Sequence, residues 1–532
     1  MNIYWLNPPL YTRTFYPDVC WMNFNTYMPE YNWIQPIIDW EEVETINEIV
    51  EDILSKDTDI LCISTYVWNH ILCHEVAKSI KKIAPNIIVI KGGPFQGYHK
   101  DFFDENPYID YMCYATGHGE IFMKPLLEQI AKRGHAYDKE SIPFFIDKTY
   151  RSRVIKTKYE YPEASSIINN QVYLLEVVSE ANKKSREAII MYETTRGCPY
   201  SCVYCEWGGG IANKVSAKPM KLIKKELDLL AILKYESFEI LDANFGILNR
   251  DVEVAEYMKY LKETLGYPQK TMLYGLAKTA IKKRERVLDV FYEGKMLDDY
   301  FVAIQTLNPE VMKNIQRTDI SIEDNIRLAK KYKEKYDADP QVEFIMGLPG
   351  STIEDFYEEM DYFQRFESKG SWGKMRNIFT LLPDSPANEK AYIERFKIKT
   401  AKVGTMENEE NDFQMVSKGV INKYKSYAVL VVETYSYTKE QWKEMFFLNR
   451  MQRQLGFPIK DTVKASEFFR MFFDMISADP YYKKIDEHLT KIVNSELKDK
   501  DMIMLEGEQL EEKVMKEYVE QNREFFKQYL HL

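Results

Sequence analysis

Over residues 1–150 the apolar positions come in short unbroken runs, and stretches of helical spacing lie between them. Residues 3–6 are apolar and stop at Asn7-Pro8-Pro9, while residues 59–64 form a continuous run of the kind that is buried on both faces of a parallel sheet. Leu72, Val76, Ile80 and Ile83 then recur at helical spacing until Pro85, and residues 86–90 make the next strand, broken by Gly92-Gly93-Pro94. Residues 109–114 lead into Gly117-His118-Gly119-Glu120 and a helix carrying Leu126, Leu127 and Ile130. This alternation predicts a doubly wound, Rossmann-like α/β domain over 1–150, with ligands outside the carboxyl ends of its strands.

The rhythm lapses over residues 151–185. Lys156-Thr157-Lys158, Pro162, Ser165-Ser166 and Lys183-Lys184-Ser185 are polar and weakly periodic, as expected of a linker. Strands then return at 188–192, 238–245, 300–306, 342–350 and 377–383, each with polar residues where its apolar run ends. Repeated strand–helix units of this kind predict a partial (β/α) barrel over 186–385, with its chemistry at the carboxyl rim. Beyond residue 386 the pattern turns helical and aromatic, and a helical domain is expected over 386–532. Thr438-Lys439-Glu440-Gln441 reads as a capping box ahead of Trp442, Met445, Phe446 and Leu448. Phe468, Phe469, Phe472, Phe473 and Ile476 mark a second helix; such stripes read first as core, and otherwise as a cap over the barrel mouth.

Composition sets outer limits. A chain of 532 residues is too long for one core. The net charge of −11 argues against a general electrostatic grip on nucleic acid. No apolar run reaches the roughly 18 residues a membrane span needs. The N-terminus lacks the basic start and apolar stretch of a signal peptide, so a cytoplasmic location is expected.

The most specific chemistry lies in Cys198-Pro199-Tyr200-Ser201-Cys202-Val203-Tyr204-Cys205, where three and then two residues separate the cysteines. Three thiolates on so short a loop suit one soft metal centre. Structural zinc needs four Cys/His ligands, usually in two pairs, and there is no second pair; Cys20, Cys62, Cys73 and Cys113 are scattered. An iron–sulfur cube takes four cysteines, so a three-cysteine site leaves one iron open to a small molecule.

The run Glu193-Thr194-Thr195-Arg196-Gly197-Cys198-Pro199-Tyr200-Ser201-Cys202-Val203-Tyr204-Cys205 resembles the cluster loop of the radical S-adenosylmethionine (radical SAM) enzymes. The resemblance implies that Cys198, Cys202 and Cys205 hold a [4Fe-4S] cluster and that SAM binds its open iron. It also implies a SAM site formed by Tyr204, Asp242, Asn244, Gln305, Arg317, Glu343 and Gly347. In chemical terms Asp242 and Asn244 suit the amino group or ribose, Gln305 and Glu343 the ribose or carboxylate, and Arg317 the carboxylate. Gly347-Leu348-Pro349-Gly350 lacks the lysine of a phosphate loop and reads as backbone passing close to adenine. Trp207-Gly208-Gly209-Gly210 reads as a lid or substrate contact.

The N-terminal strand ends resemble the cobalamin-binding domain of one large radical SAM branch. On that likeness Ser64, Thr65, Gly92, Gly93, Pro94, Gly117, Gly119 and Glu120 lie against the corrin and its nucleotide tail. The Asp-x-His-x-x-Gly motif that supplies a lower axial histidine in many cobalamin proteins is absent, and His118 is the neighbouring candidate. The implied function is that of a cobalamin-dependent radical SAM enzyme that makes a 5′-deoxyadenosyl radical and methylates an unactivated carbon. The alternatives are ring contraction, cyclisation or oxidation, a radical SAM enzyme without cobalamin, or a non-catalytic sensor. The implied partners are a small-molecule or peptide substrate and a flavodoxin- or ferredoxin-type electron donor, with no nucleic acid.

Overall fold

The apolar runs of the N-terminal region become strands of one sheet in the computed structural model. It describes all residues except 11, 13, 96, 98–100, 114–118, 134–144, 147–160, 208–214, 277–280, 318–320, 339–340, 365–373, 405–418, 425–426, 455–458, 496–516 and 532. The chain divides into two units. One holds Met1–Tyr200, Cys205–Leu297 and Glu407–Ser426; the other holds Ser201–Tyr204, Asp298–Met406 and Tyr427–Leu532.

In the first unit, β1 (Asn2–Leu6), β2 (Asn32–Ile34), β3 (Ile60–Ser64), β4 (Ile88–Gly92), β5 (Tyr111–Cys113) and β6 (Phe145–Ile146) form a sheet of order β2-β1-β3-β4-β5-β6. All neighbours are parallel except β5 and β6. Every residue of β3 is buried, as its unbroken apolar run requires. Helix His70–Ile83 lays Leu72, Val76 and Ile80 on the sheet, but Ile83, in its last turn, is 62% exposed and does not join that stripe. A short helix from far along the chain, Gly419–Lys423, adds Val420 and Ile421 to the same core.

The stretch expected as a linker contains helices Ser166–Asn169 and Gln171–Lys183. Tyr173, Leu174, Val177 and Ala181 form a buried stripe that the flanking polar residues masked in sequence. A second sheet of the first unit has order β11-β10-β7, all parallel, from β7 (Ile189–Tyr192), β10 (Ser237–Ile240) and β11 (Lys270–Leu273). A two-stranded ribbon pairs β8 (Thr195–Arg196) with β9 (Ser216–Ala217).

The second unit has a parallel sheet of order β12-β13-β14, from β12 (Phe301–Gln305), β13 (Gln341–Met346) and β14 (Lys374–Ile378). The run expected as one strand over 377–383 is split: β14 ends at Ile378, and Thr380 and Leu381 pair instead with Leu430 and Val429. The C-terminal region is also not wholly helical. Strands β15 (Lys399–Gly404) and β16 (Tyr427–Glu433) form an antiparallel pair. The capping box is present: Thr438 N–H donates to Gln441 Oε1 (3.0 Å) and Gln441 N–H to Thr438 Oγ1 (3.3 Å). Behind it Trp442, Phe446, Phe468, Phe469, Phe472 and Ile476 share one buried core. Among the described residues no helix is long and apolar enough to cross a membrane.

Candidate functional site

The cysteine loop leaves the carboxyl end of β7, and the neighbouring strand β10 braces its root. Asp242, 2% exposed, accepts from Thr194 N–H (2.7 Å), Thr195 N–H (3.0 Å) and the Thr194 hydroxyl (2.5 Å). Burial pushes its pKa up to about 6 against these bonds. Two residues on, Asn244 donates from Nδ2 to Cys198 Sγ at 3.1 Å, while its own Oδ1 is buried with no partner. Arg250 ties the same root from outside, donating to Thr194 C=O (2.6 Å) and Thr195 Oγ1 (3.1 Å). The end of β10 is itself fixed by Gly275: Phe245 N–H donates to Gly275 C=O (2.6 Å), and a Cβ on Gly275 would stand 2.2 Å from Asp242 C=O. Asp242 and Asn244, expected as SAM contacts, thus spend most of their polar atoms on the cysteine loop.

Cys198 and Cys202 are buried and Cys205 is half-buried. In the second unit, Val203 N–H donates to Ile315 C=O (3.1 Å) and Val203 C=O accepts from Ala387 N–H (2.9 Å), so backbone bonds hold the middle of the loop. Burial pushes the thiols of Cys20 and Cys113 up to about 12 and those of Cys62 and Cys73 higher, which keeps them protonated and unsuited as metal ligands. Among the described residues no three Cys, His, Asp or Glu side chains are already gathered at one point. The donor set nevertheless fits an iron–sulfur centre: three sulfurs come from one eight-residue run, and one of them already receives a buried amide N–H.

A charge network between residues far apart in sequence lies beside the loop. Arg196 donates from Nε to both oxygens of Glu193 (3.0 and 3.1 Å) and from Nη1 to Glu120 (3.0 Å), 76 positions away. Tyr161 donates to Glu193 at 2.5 Å. Burial acts to raise the Glu193 pKa, but the Arg196 charge and the Tyr161 bond outweigh it and hold the carboxyl below its ordinary value. Close by, Glu226 accepts from Lys218 (2.8 Å), the Tyr192 hydroxyl (2.8 Å) and Ser165 (2.5 Å). A small open pocket is lined by Tyr161, Ser165, Glu193, Arg196, Lys218 and Glu226. Glu120, expected against the corrin, is thus the ion-pair partner of a residue in the cluster motif.

In the second unit, Arg317 (3% exposed) donates from Nη1 to the Tyr204 hydroxyl (2.6 Å) and from Nη2 to Ala303 C=O, while its Nε is buried without a partner. Burial raises the pKa of Glu343, opposed by the Arg317 charge. Gln305 ends β12 at φ 74°, beside a register irregularity, with Oε1 buried and unpartnered. A non-glycine residue held in that conformation next to an unmet acceptor is a strained position of the kind found at binding sites. Tyr204, Arg317 and Glu343 are therefore brought together. Gly347 lies apart from this group in character: its φ is 85°, the Tyr437 hydroxyl donates to its C=O (2.8 Å), and a Cβ would meet that hydroxyl at 2.9 Å. Tyr437 occupies the space that the glycine leaves.

At the carboxyl ends of β3 and β4 two loops are cross-braced. Thr65 N–H and hydroxyl both reach Gly92 C=O (2.9 and 2.8 Å), and Phe95 N–H donates back to Thr65 C=O (2.9 Å). Lys91, 1% exposed and carrying no motif in sequence, donates to Thr65 Oγ1 (3.0 Å) and Phe95 C=O (2.5 Å). Gly93 has φ 91°, and a Cβ there would stand 2.4 Å from Thr65 N and O, so the close approach it permits is to Thr65. Ser64 is buried, whereas Gly92 faces open space. Gly119 and Glu120 open helix Gly119–Arg133. Gly117, His118 and the Gly208-Gly209-Gly210 stretch lie outside the described residues.

Fold and site together define a radical SAM domain following an N-terminal Rossmann-like sheet. Residues 192–363 match the Radical SAM superfamily. The chain is 27% identical over 450 residues to the cobalamin-dependent radical SAM methyltransferase TokK of Streptomyces tokunonensis, covering 80% of this chain and 61% of that protein. It is 25% identical over 417 residues to the 2-(S-pantetheinyl)-carbapenam-3-carboxylate methyltransferase of Streptantibioticus cattleyicolor, covering 76% and 57%. The chain therefore spans less than two thirds of the length of these curated relatives. Its fold is similar to that of TsrM from Kitasatospora setae, a radical S-adenosylmethionine methyltransferase solved with tryptophan substrate and aza-SAM (TM-score 0.60, 14% identity, 85% of this chain and 89% of that one). It is also similar to that of OxsB, a cobalamin-dependent S-adenosylmethionine radical enzyme (TM-score 0.53, 15% identity, 98% and 71%). Residues 192–363 are thus a radical SAM domain, within a chain that is similar over 80% of its length to a cobalamin-dependent radical SAM methyltransferase.

Proposed function

We propose that this chain is a cobalamin-dependent radical SAM enzyme that transfers a methyl group to an unactivated carbon of a small molecule. The observation that carries the proposal is the loop with Cys198, Cys202 and Cys205 at the end of β7, its root braced by Asp242 and its first sulfur met by Asn244. When bound, a [4Fe-4S] cluster and SAM supply the radical chemistry and a corrinoid supplies the methyl group.

The chain's own residues bind and orient. Arg317, held by Tyr204, offers a fixed guanidinium to the SAM carboxylate. Glu343 and the unmet Oε1 of Gln305 are acceptors for ribose hydroxyls. The braced Thr65 and Gly93 loops give the corrin a rigid floor at the sheet's carboxyl edge, with Gly92 leaving room for close approach. The methyltransferase activities of the relatives favour methyl transfer over cyclisation or oxidation. An external flavodoxin- or ferredoxin-type reductant and a reducing cytoplasm complete the reading.

Anaerobic reconstitution of the full chain is expected to incorporate about four iron and four sulfide per chain. Replacing Cys198, Cys202 and Cys205 together with Ala is expected to remove the cluster absorbance and reductive SAM cleavage; cleavage that survives overturns the reading. Protein incubated with hydroxocobalamin and desalted is expected to keep a corrinoid spectrum, and loss of that spectrum removes cobalamin from the proposal.

A further inference from the structure

One buried contact of the cysteine loop has no part in holding the backbone. Asn244 is 4% exposed and Cys198 6%, and the amide Nδ2 lies 3.1 Å from Sγ. Its aim is set from behind, because Gly275 packs against Asp242 and Ala243 and bonds Phe245, the residue after Asn244. We infer that Asn244 tunes the reduction potential of the iron–sulfur cluster by donating a hydrogen bond to the Cys198 sulfur. The inference rests on the reading of Cys198 as a cluster ligand.

A metal-bound cysteine is a thiolate with no proton to give, so only the N–H side of the amide can face it. Electron density on the ligand sulfur rises when the cluster is reduced. A donor aimed at that sulfur therefore strengthens on reduction, favours the reduced form and raises the potential. The site is dry enough for the effect to be large, because both partners are buried and water screens them little. The carboxamide's other end fits the same role: Oδ1 has no partner, so the side chain is held by its neighbours' packing and not by a competing hydrogen bond. Asn244 is in these terms a positioning and tuning residue, and Ala, Asp or any non-donor at 244 makes the cluster harder to reduce.

The test is an EPR-monitored redox titration of the reconstituted full chain, wild type beside Asn244→Ala and the isosteric Asn244→Asp. Asn244→Ala is expected to lower the equilibrium constant for one-electron reduction about tenfold, a midpoint about 59 mV more negative, with iron and sulfide content unchanged. Asn244→Asp, which sets an acceptor against the thiolate, is expected to shift further in the same direction. A midpoint equal to wild type, or more positive, in either loaded variant overturns the inference and leaves the cluster reading standing. If neither variant takes up a cluster, wild-type chain labelled with [15N]asparagine decides: a nitrogen coupling to the reduced cluster in pulsed EPR supports the contact, and its absence overturns it. A wild-type chain that takes up no cluster fails the functional reading itself.

Discussion

Asp242 offers a quantitative test of how the root of the cysteine loop is held. One carboxylate oxygen accepts both Thr194 N–H and Thr195 N–H, and the other accepts the Thr194 hydroxyl. In Asp242→Asn the amide oxygen keeps the two backbone bonds, and the amide nitrogen donates to a reversed Thr194 hydroxyl. In Asp242→Ala the two buried N–H groups lose their acceptor, at about 1–3 kcal/mol each, so this variant is expected to be about 2–6 kcal/mol less stable than Asp242→Asn. The two also separate by pH. Burial raises the Asp242 pKa from 3.8 to about 6, so the folded protein binds this proton more tightly than the unfolded chain does. Its contribution is complete below the ordinary aspartate pKa and is lost as pH climbs through about 6, a change of about 3 kcal/mol at 1.36 kcal/mol per unit. Asp242→Asn lacks this loss, so its stability relative to wild type is expected to improve by about that amount between about pH 4 and about pH 7. Urea unfolding of wild type and variant across that range measures the difference. A difference that stays flat with pH, or an Ala variant as stable as the Asn variant, refutes the account of Asp242.

Gly275→Ala drives a Cβ to 2.2 Å from Asp242 C=O; it is expected to destabilise the first unit by about 1–3 kcal/mol and to lower iron uptake on reconstitution. Gly93→Ala combines a φ of 91° with a 2.4 Å clash on Thr65, and is expected to lose hydroxocobalamin retention on desalting while iron content stays at the wild-type level. Arg196→Met leaves Glu193 and Glu120 buried without their cation and is expected to cost about 3–5 kcal/mol near neutral pH. Because the pair with Arg196 holds Glu193 below its ordinary pKa, that deficit is expected to shrink as pH falls through the carboxylate range in urea melts.

What could be read in the sequence was what is local. The buried run of β3, the βα alternation and the cysteine spacing each depend on neighbouring residues, and each appears where expected. Short or two-sided elements are harder to read: β11 is a four-residue strand with alternating exposure, and the apolar run of β16 lies just ahead of aromatic helices that dominate the C-terminal pattern. Roles set by distant partners were also hidden. Nothing near Glu120 announces Arg196, and Gly93 carries the same glycine signature whether it faces a ligand or, as here, the backbone of Thr65. Asp242 and Asn244 are legible as polar strand-end residues, yet only coordinates reveal that they turn toward Thr194 and Cys198.

The return of helix Gly419–Lys423 to the first unit has a consequence for synthesis. Val420 and Ile421 are 0% and 5% exposed in the core of the N-terminal sheet, and Val420 N–H donates to Val43 C=O at 2.8 Å. Gly419 has φ 65°, and a Cβ there would stand 2.3 Å from Val43 C=O, so the docking is close. Domains usually complete their folding in the order in which they leave the ribosome. Here the core against the first sheet lacks Val420 and Ile421 until more than a hundred residues of the second unit have emerged, so a fragment that stops at Leu297 is expected to expose an apolar gap.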